Sequence, residues 1–298
     1  MENCAEIDMK TTQNSLSQHI KHDIKMGVFS QWKKYIISSL IFVILCGQLF
    51  TQHKTILLDP ARLRLNQIEP VLSFGDYFLF IFHGMKIFNP VDKDFQVNIF
   101  WVLVNIYLSY IVSFYPFKDL NGYGQLMLLR SHKRSYWWIS KCVWNVLSVT
   151  FFYIIVCVIT SLFALFTGKM DVEIHKNVQL YFSEINVEGL SRQRILLIAF
   201  LLPLIASVAI SLFQMLISMI LRPLVGFTLT ILIICSSIFY CTFWLPGNYI
   251  MIMRNESFLP GSGIKFSNGI IVSAIISIFS IFVGLYFFNK KDIFSQPE

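Results

Sequence analysis

Apolar and polar positions along this chain fall in long blocks rather than in the short periods of a soluble domain. Six apolar runs stand out, at 35–50, 97–115, 143–166, 195–221, 224–244 and 269–288. A helix rises about 1.5 Å per residue, so about 20 apolar residues cross a hydrocarbon layer of about 30 Å. The pattern predicts an all-α integral membrane protein, with one six-helix transmembrane domain over 35–298 behind a polar N-terminus at 1–34. The run at 35–50 is short for a span and borrows residues on either side, where Trp32, Lys33 and Lys34 supply an interfacial aromatic and a positive anchor.

Between the runs the pattern changes character. Leu16, Ile20, Ile24 and Val28 recur every fourth position, with Lys21, His22, Asp23 and Lys25 on the remaining arc. This spacing predicts a helix over 16–29 lying along the membrane surface. Residues 51–96 are mixed and contain Pro60, Pro70 and Pro90; within them Ser73 and Asp76 match the S-x-x-D start of a helix. That start predicts a short helix at 74–87 resting on the outer membrane surface. A second polar outer segment occupies 167–194. Pro203 predicts a kink in the fourth span, and Arg222-Pro223 makes so short a hairpin that spans four and five must pack antiparallel. Pro246, Gly247 and Asn248 form a turn after span five, ahead of a short, partly embedded stretch at 249–253.

Two spans carry polar residues on one face. Asn98, Asn105, Ser109 and Ser113 in the second and Ser207, Ser211, Gln214 and Ser218 in the fourth each share a helix side. Polar groups in lipid are costly without a partner, so these faces point into the bundle or line a path. Interhelical hydrogen bonding is the commoner use of such faces; the other use makes the eight residues candidates for a path lining.

Composition narrows the class. Of 298 residues 55% are hydrophobic and 14% are charged, against about 25% charged in an average soluble domain. The net charge of +7 comes from basic residues flanking the apolar runs, so it signals topology rather than nucleic-acid binding. Placing the N-terminus inside puts 13 of the 24 Lys and Arg on inner segments, crowded against span ends. This predicts cytoplasmic N- and C-termini in a multi-pass protein of a bacterial plasma membrane. The six cysteines contain no CxxC pair, and five lie in or at the ends of apolar runs as small fillers. The first 34 residues are too long and polar for the start of a cleaved signal, which predicts a retained first span.

The chain has no G-x-x-x-x-G-K-[ST], no HExxH and no G-x-S-x-G. Gly261-Ser262-Gly263 lacks the flanking residues of a hydrolase turn and is a loop. Its spans also lack the intramembrane carboxylates that proton- or sodium-coupled transporters use. The sequence therefore predicts no catalytic, cofactor or metal residues, and a transport path through it needs energy from a partner.

The link at 116–144, PFKDLNGYGQLMLLRSHKRSYWWISKCVW, is the most elaborate inner segment. Its run LNGYGQLMLLRSHKRSYWWISKCVWN resembles the first cytoplasmic loop of six-span permease subunits of type-2 ATP-binding-cassette exporters, and LPGNYIMIMRN after span five is similar to an outer segment of the same proteins. The resemblance implies that this loop forms a cytoplasmic coupling helix seated on a separate ATPase subunit. It also implies that ATP is bound by that partner and that a second permease subunit, identical or different, completes the export path. By position, Asp119, Tyr123, Gln125, Met127, Arg130, His132, Lys133 and Arg134 become the candidate ATPase contacts. Leu120, Tyr123 and Met127 share a helix face, while Arg130, Lys133 and Arg134 offer donors for carboxylates. Tyr136, Trp137 and Trp138 read as an interfacial belt at membrane re-entry. The expected cargo is amphiphilic, a peptide or lipid-like molecule. The rival reading is a non-transporting multi-span protein, for bacteriocin immunity or peptide sensing, that binds a partner at its outer face.

Overall fold

In the computed structural model, which describes residues 16–91, 95–131, 134–167 and 171–290, most of the described residues are helical and none form a strand beyond an isolated bridge between Asn255 and Ile264. The elements are α1 (16–23), α2 (Trp32–Leu57), α3 (Pro60–Asn66), α4 (Phe74–Phe82), α5 (Ile99–Ser113), α6 (Tyr115–Leu120), α7 (Tyr123–Ser131) and α8 (Arg134–Thr167), followed by α9 (Lys176–Phe182), α10 (Arg192–Leu196), α11 (Leu202–Ile220), α12 (Pro223–Phe239) and α13 (Phe266–Lys290).

Among the described residues, five continuous helical stretches are long and apolar enough to cross a membrane: Leu16–Leu57, Ile99–Leu120, Arg134–Thr167, Arg192–Ile220 and Phe266–Lys290. The sixth apolar helix, α12, is 17 residues long. The sequence places its span at 224–244, but the helix stops at Phe239. The Arg254 guanidinium takes the carbonyls of Ser237 and Ile238, and the Asn248 amide takes those of Tyr240 and Thr242. Those carbonyls close the helix end instead of waiting for another turn. The first span is longer than its apolar run, since α2 covers 26 residues, about 39 Å. A π-turn at Leu197–Leu201 lies just ahead of Pro203 and absorbs the backbone conflict expected there.

The long helices alternate in direction. Asp23, ahead of α2, lies beside Lys141 near the start of α8; Ser113 at the end of α5 meets Gln214 of α11; and Trp138 of α8 reaches the Ile281 carbonyl of α13. One end of the bundle thus carries α1, the link and the end of α13, and the opposite end carries α3, α4, α9 and α10.

At that opposite end, α4 begins with the capping box read from the sequence: Ser73 Oγ accepts from the Asp76 amide while Asp76 Oδ2 accepts from the Ser73 amide at 3.0 Å. It does not rest on a surface. Tyr77, Phe78, Leu79, Ile81 and Phe82 are all buried, and Phe82 stacks on Tyr153 of α8 at 5.2 Å. Continuous apolarity in YFLFIF fits a helix buried on all sides rather than an amphipathic one. Tyr249, Ile250, Met251, Ile252 and Met253 are likewise buried, in two short 3-10 turns and the extended Met251 that joins them.

The N-terminal helix also differs from its expected pose. His19, Asp23 and Gly27 are buried together with Val28 of the predicted stripe, while the other stripe positions Leu16, Ile20 and Ile24 are half-buried and Met26 and Phe29 are exposed. A π-turn at Ile24–Val28 carries Gly27 against Trp144 and Tyr115, so close that a Cβ would overlap both rings. Polar residues turn inward here because they meet charge, as follows.

Candidate functional site: the link and its buried charges

The link is a two-helix excursion between long helices. After α5, Pro116 near the start of α6 fits the first turn of a helix, where no amide partner is lost. α6 ends at Leu120, the Asn121-Gly122 turn reverses the chain, and α7 follows before α8 re-enters the bundle. Gly124 packs so tightly on Asp119 that any side chain there would strike its carboxylate. This pins the start of α7 to the end of α6.

A charge cluster lies beneath that turn. Lys141 Nζ sits 2.6 Å from Asp119 Oδ2 and also pairs with Asp23 Oδ1, and all three side chains are at least nine-tenths buried. Asp119 further accepts from Trp137 Nε1 at 3.3 Å and lies 3.1 Å from His22 Nε2. Asp23 accepts from the Tyr115 hydroxyl at 2.8 Å and from Ser140. The ammonium lies over the rings of Tyr115 and Trp137 at 4.8 and 4.9 Å. Three segments far apart in sequence, α1, the link and the first turns of α8, are therefore tied by one cation. His22, Asp23 and Asp119 bring ligand atoms within 4.8 Å of one another, a spacing a metal could use. Lys141 already pairs with both carboxylates and offsets one of their two charges, in the place a metal ion would take between them.

The sequence candidates for ATPase contact divide on this geometry. Asp119 faces inward, held by Lys141. Tyr123 is exposed and stacks on His22 at 4.9 Å, Gln125 and Met127 are half-buried, and Leu126, which the sequence did not single out, is 55% exposed. Leu128 turns inward onto the cluster of Trp137, Met215 and Phe288. Arg134 opens α8 and is half-buried. Arg130 is described by its backbone alone, and His132 and Lys133 lie outside the described residues. The expected interfacial belt is corrected in part: Trp137 and Trp138 are 1% exposed, one stacked on Phe288 at 4.7 Å, the other donating to the Ile281 carbonyl at 3.0 Å. Protein rather than headgroups receives them because α13 ends alongside.

The two polar faces meet each other. Gln214 Nε2 donates to the Ser109 carbonyl at 2.9 Å and to Ser113 Oγ at 2.5 Å. Asn145 of α8 exchanges bonds with Ser211, and Tyr153 pairs with Ser207 at 2.9 Å. Asn105 donates to the Trp101 carbonyl within its own helix. The seam between them, lined also by Ile210, Ile234 and Ile250, encloses about 10 Å³, at most the room of one water. Ser218 is buried against Gly226, and Asn98 caps α5 by accepting from the Trp101 amide at 3.1 Å. Six of the eight candidates thus lie in a polar seam within the chain, Ser218 packs between α11 and α12, and Asn98 caps α5.

Sequence reasoning missed His22, Asp23, Tyr115 and Lys141 as a unit. The available signal was Lys141 itself, a cation five residues after Tyr136 in an aromatic run with no neighbouring acid in sequence. A model of the family described as "Protein of unknown function (DUF2705)" matches residues 40–294. No curated protein matches the chain.

Proposed function

The chain belongs to the DUF2705 family, whose description assigns no activity, and from its own residues we propose that it is a membrane-embedded permease subunit of an ATP-driven exporter. In this reading α12 completes a sixth crossing, both termini and the link face the cytoplasm of a bacterial cell, and a separate cassette ATPase binds ATP and seats against α7. A second permease subunit completes the path for an amphiphilic cargo. The chain itself is not an enzyme.

The observation that carries the reading is the form of the link. A loop that only joins two helices needs a few residues. This one builds α7, with Tyr123 and Leu126 turned outward, and fixes its base to α1 and α8 through the Lys141 cluster. Force applied to α7 therefore acts on the ends of α2, α5 and α8 together. Tyr123, Gln125, Leu126 and Met127 supply the contact surface with Arg130, His132 and Lys133, and Asp119 positions it from below.

The test is co-purification with a separately encoded cassette ATPase co-expressed with this chain. Leu126→Glu combined with Arg130→Glu should abolish the complex and the permease-stimulated ATPase activity while leaving the thermal stability of the isolated membrane protein unchanged. Full assembly and stimulation in that variant would exclude the reading.

A further inference from the structure

At the end of the bundle opposite the link, a cleft of about 610 Å³ opens between the last turns of α2, the segment after α4 and the turn after α9. Its size is that of sites that hold small organic ligands. Three features of its lining point to a ligand rather than to solvent.

Ser183 lines the cleft, is 1% exposed, and its hydroxyl has no hydrogen-bond partner among the described residues. A buried hydroxyl without a partner is unfavourable unless something in the cleft meets it. Next to it, Glu184 holds a left-handed backbone, φ 54°, unusual for a residue with a side chain, and its carboxylate lies 2.6 Å from Lys86 Nζ. Both partners are more than half exposed, so this pair stands at the rim and is able to exchange with groups of a ligand. On the facing wall Gln48 and Gln52 are one helical turn apart on α2, so both amides fall on the side of α2 that borders the cleft. His83, by contrast, is used up: Nδ1 donates to the Phe80 carbonyl at 2.5 Å and Nε2 accepts from the Asn98 amide at 2.9 Å.

We infer that this cleft binds a short peptide segment that carries charge. The amides of Gln48 and Gln52 offer donors and acceptors in equal number, as backbone N–H and C=O groups require. Lys86 and Glu184 offer one charge of each sign, which suits a peptide's carboxylate and ammonium groups. A phosphate headgroup calls for donors and positive charge in excess, and here the Lys86 charge is offset by Glu184. A neutral sugar gives no use to an ion pair. The inference goes beyond the exporter reading and does not depend on any ATPase, since a peptide cleft at this end would serve a cargo-binding subunit or a peptide sensor equally.

The experiment uses the full chain in lipid nanodiscs, equilibrium dialysis against a random-sequence pentapeptide pool, and mass spectrometry of the retained species. Glycerophosphoethanolamine is dialysed in parallel. Wild-type discs should retain a subset of pentapeptides above empty discs. Glu184→Lys should lower retention of members bearing basic residues by about tenfold and favour acidic ones, and Ser183→Phe should remove retention by filling the floor. The exposed position of Glu184 keeps the test informative even if Ser183→Phe fails to fold. Retention no greater than in empty discs, or retention indifferent to Glu184→Lys, overturns the proposal. Retention of glycerophosphoethanolamine without pentapeptides overturns it in favour of a lipid headgroup.

Discussion

Lys141 and Asp119 meet at 2.6 Å with both side chains buried, twenty-two residues apart, one at the end of the link's first helix and one inside the helix that re-enters the bundle. Removing one member of such a pair costs more than the pair contributes, because the remaining charge stays buried without its counter-ion. Lys141→Met strands two carboxylates and should destabilise the protein by about 3–5 kcal/mol. Adding Asp23→Asn and Asp119→Asn removes the stranded charge and should recover most of that loss. Thermal unfolding in detergent, followed by tryptophan fluorescence, measures both; a triple variant no more stable than Lys141→Met would show that the charges are not what matters.

Arg254 presents a different kind of buried cation. Its guanidinium donates to the carbonyls of Met85, Lys86, Ser237 and Ile238 and to Asn248 Oδ1, which saturates all five N–H groups without any carboxylate. Burial lowers its pKa to about 10, still well above neutrality, so it stays charged. Lysine has three donors, and Arg254→Lys leaves at least two acceptors unmet at about 1–3 kcal/mol each. That variant should unfold at markedly lower temperature, and the segment after Phe239 should gain amide exchange first because α12 loses its end cap. Wild-type exchange in Arg254→Lys at 237–248 would refute the capping role.

How much of this was legible in the sequence depends on the range of the interaction. The Ser73–Asp76 capping box is local, three residues across, and could be read directly. The apolar runs located the long helices because each run spans enough residues to declare itself. Their ends could not be read, since they are set from far away: Arg254 and Asn248 stop α12, and Phe288 lets Trp137 and Trp138 begin α8 inside the protein. The polar faces of α5 and α11 were visible as periodicity, but Asn145 and Tyr153, which close the seam between them, sit in a helix that otherwise reads as apolar. The inward stripe of α1 was missed because hydrophobicity ranks Ile20 above Asp23, and only the distant Lys141 reverses that order.

The hairpin between α11 and α12 tests how close two helices need to be. A Cβ on Gly226 would overlap Ser218 Oγ and lie 2.8 Å from the Gln214 carbonyl oxygen, which is backbone and cannot step aside. Alanine is the better helix former by about 1 kcal/mol, but overpacking costs about 1–3 kcal/mol, so Gly226→Ala should destabilise on balance. Gly47, inside α2, has nothing within 4 Å of its Cβ position. Gly47→Ala should therefore stabilise by up to about 1 kcal/mol. Melting temperatures of the two variants should move in opposite directions, and a shift of the same sign in both would remove helix proximity as the explanation.

His175 ties the segment after α8 to α4. Its backbone amide donates to Asp76 Oδ1 at 3.0 Å and its Nδ1 lies 2.5 Å from Asp76 Oδ2, a carboxylate that Gln179 and Ser73 also contact and that is wholly buried. That hydrogen bond, chiefly, raises the imidazole pKa above its ordinary value of about 6.5, against the opposing effect of burial. The folded state then holds the proton more tightly than the unfolded chain does. Its contribution is complete below about pH 6.5 and is lost as the pH rises through the raised folded value. The melting temperature of wild type should exceed that of His175→Gln most at about pH 5.5, and the gap should narrow by about pH 8.5. Some difference should persist at the higher pH, because neutral imidazole still donates from Nδ1. Asp76→Asn should flatten the dependence by removing the acceptor that sets it. A gap that widens with rising pH would show that His175 is not held as the cation, and the seal between 171–183 and α4 would then rest on the backbone contact alone.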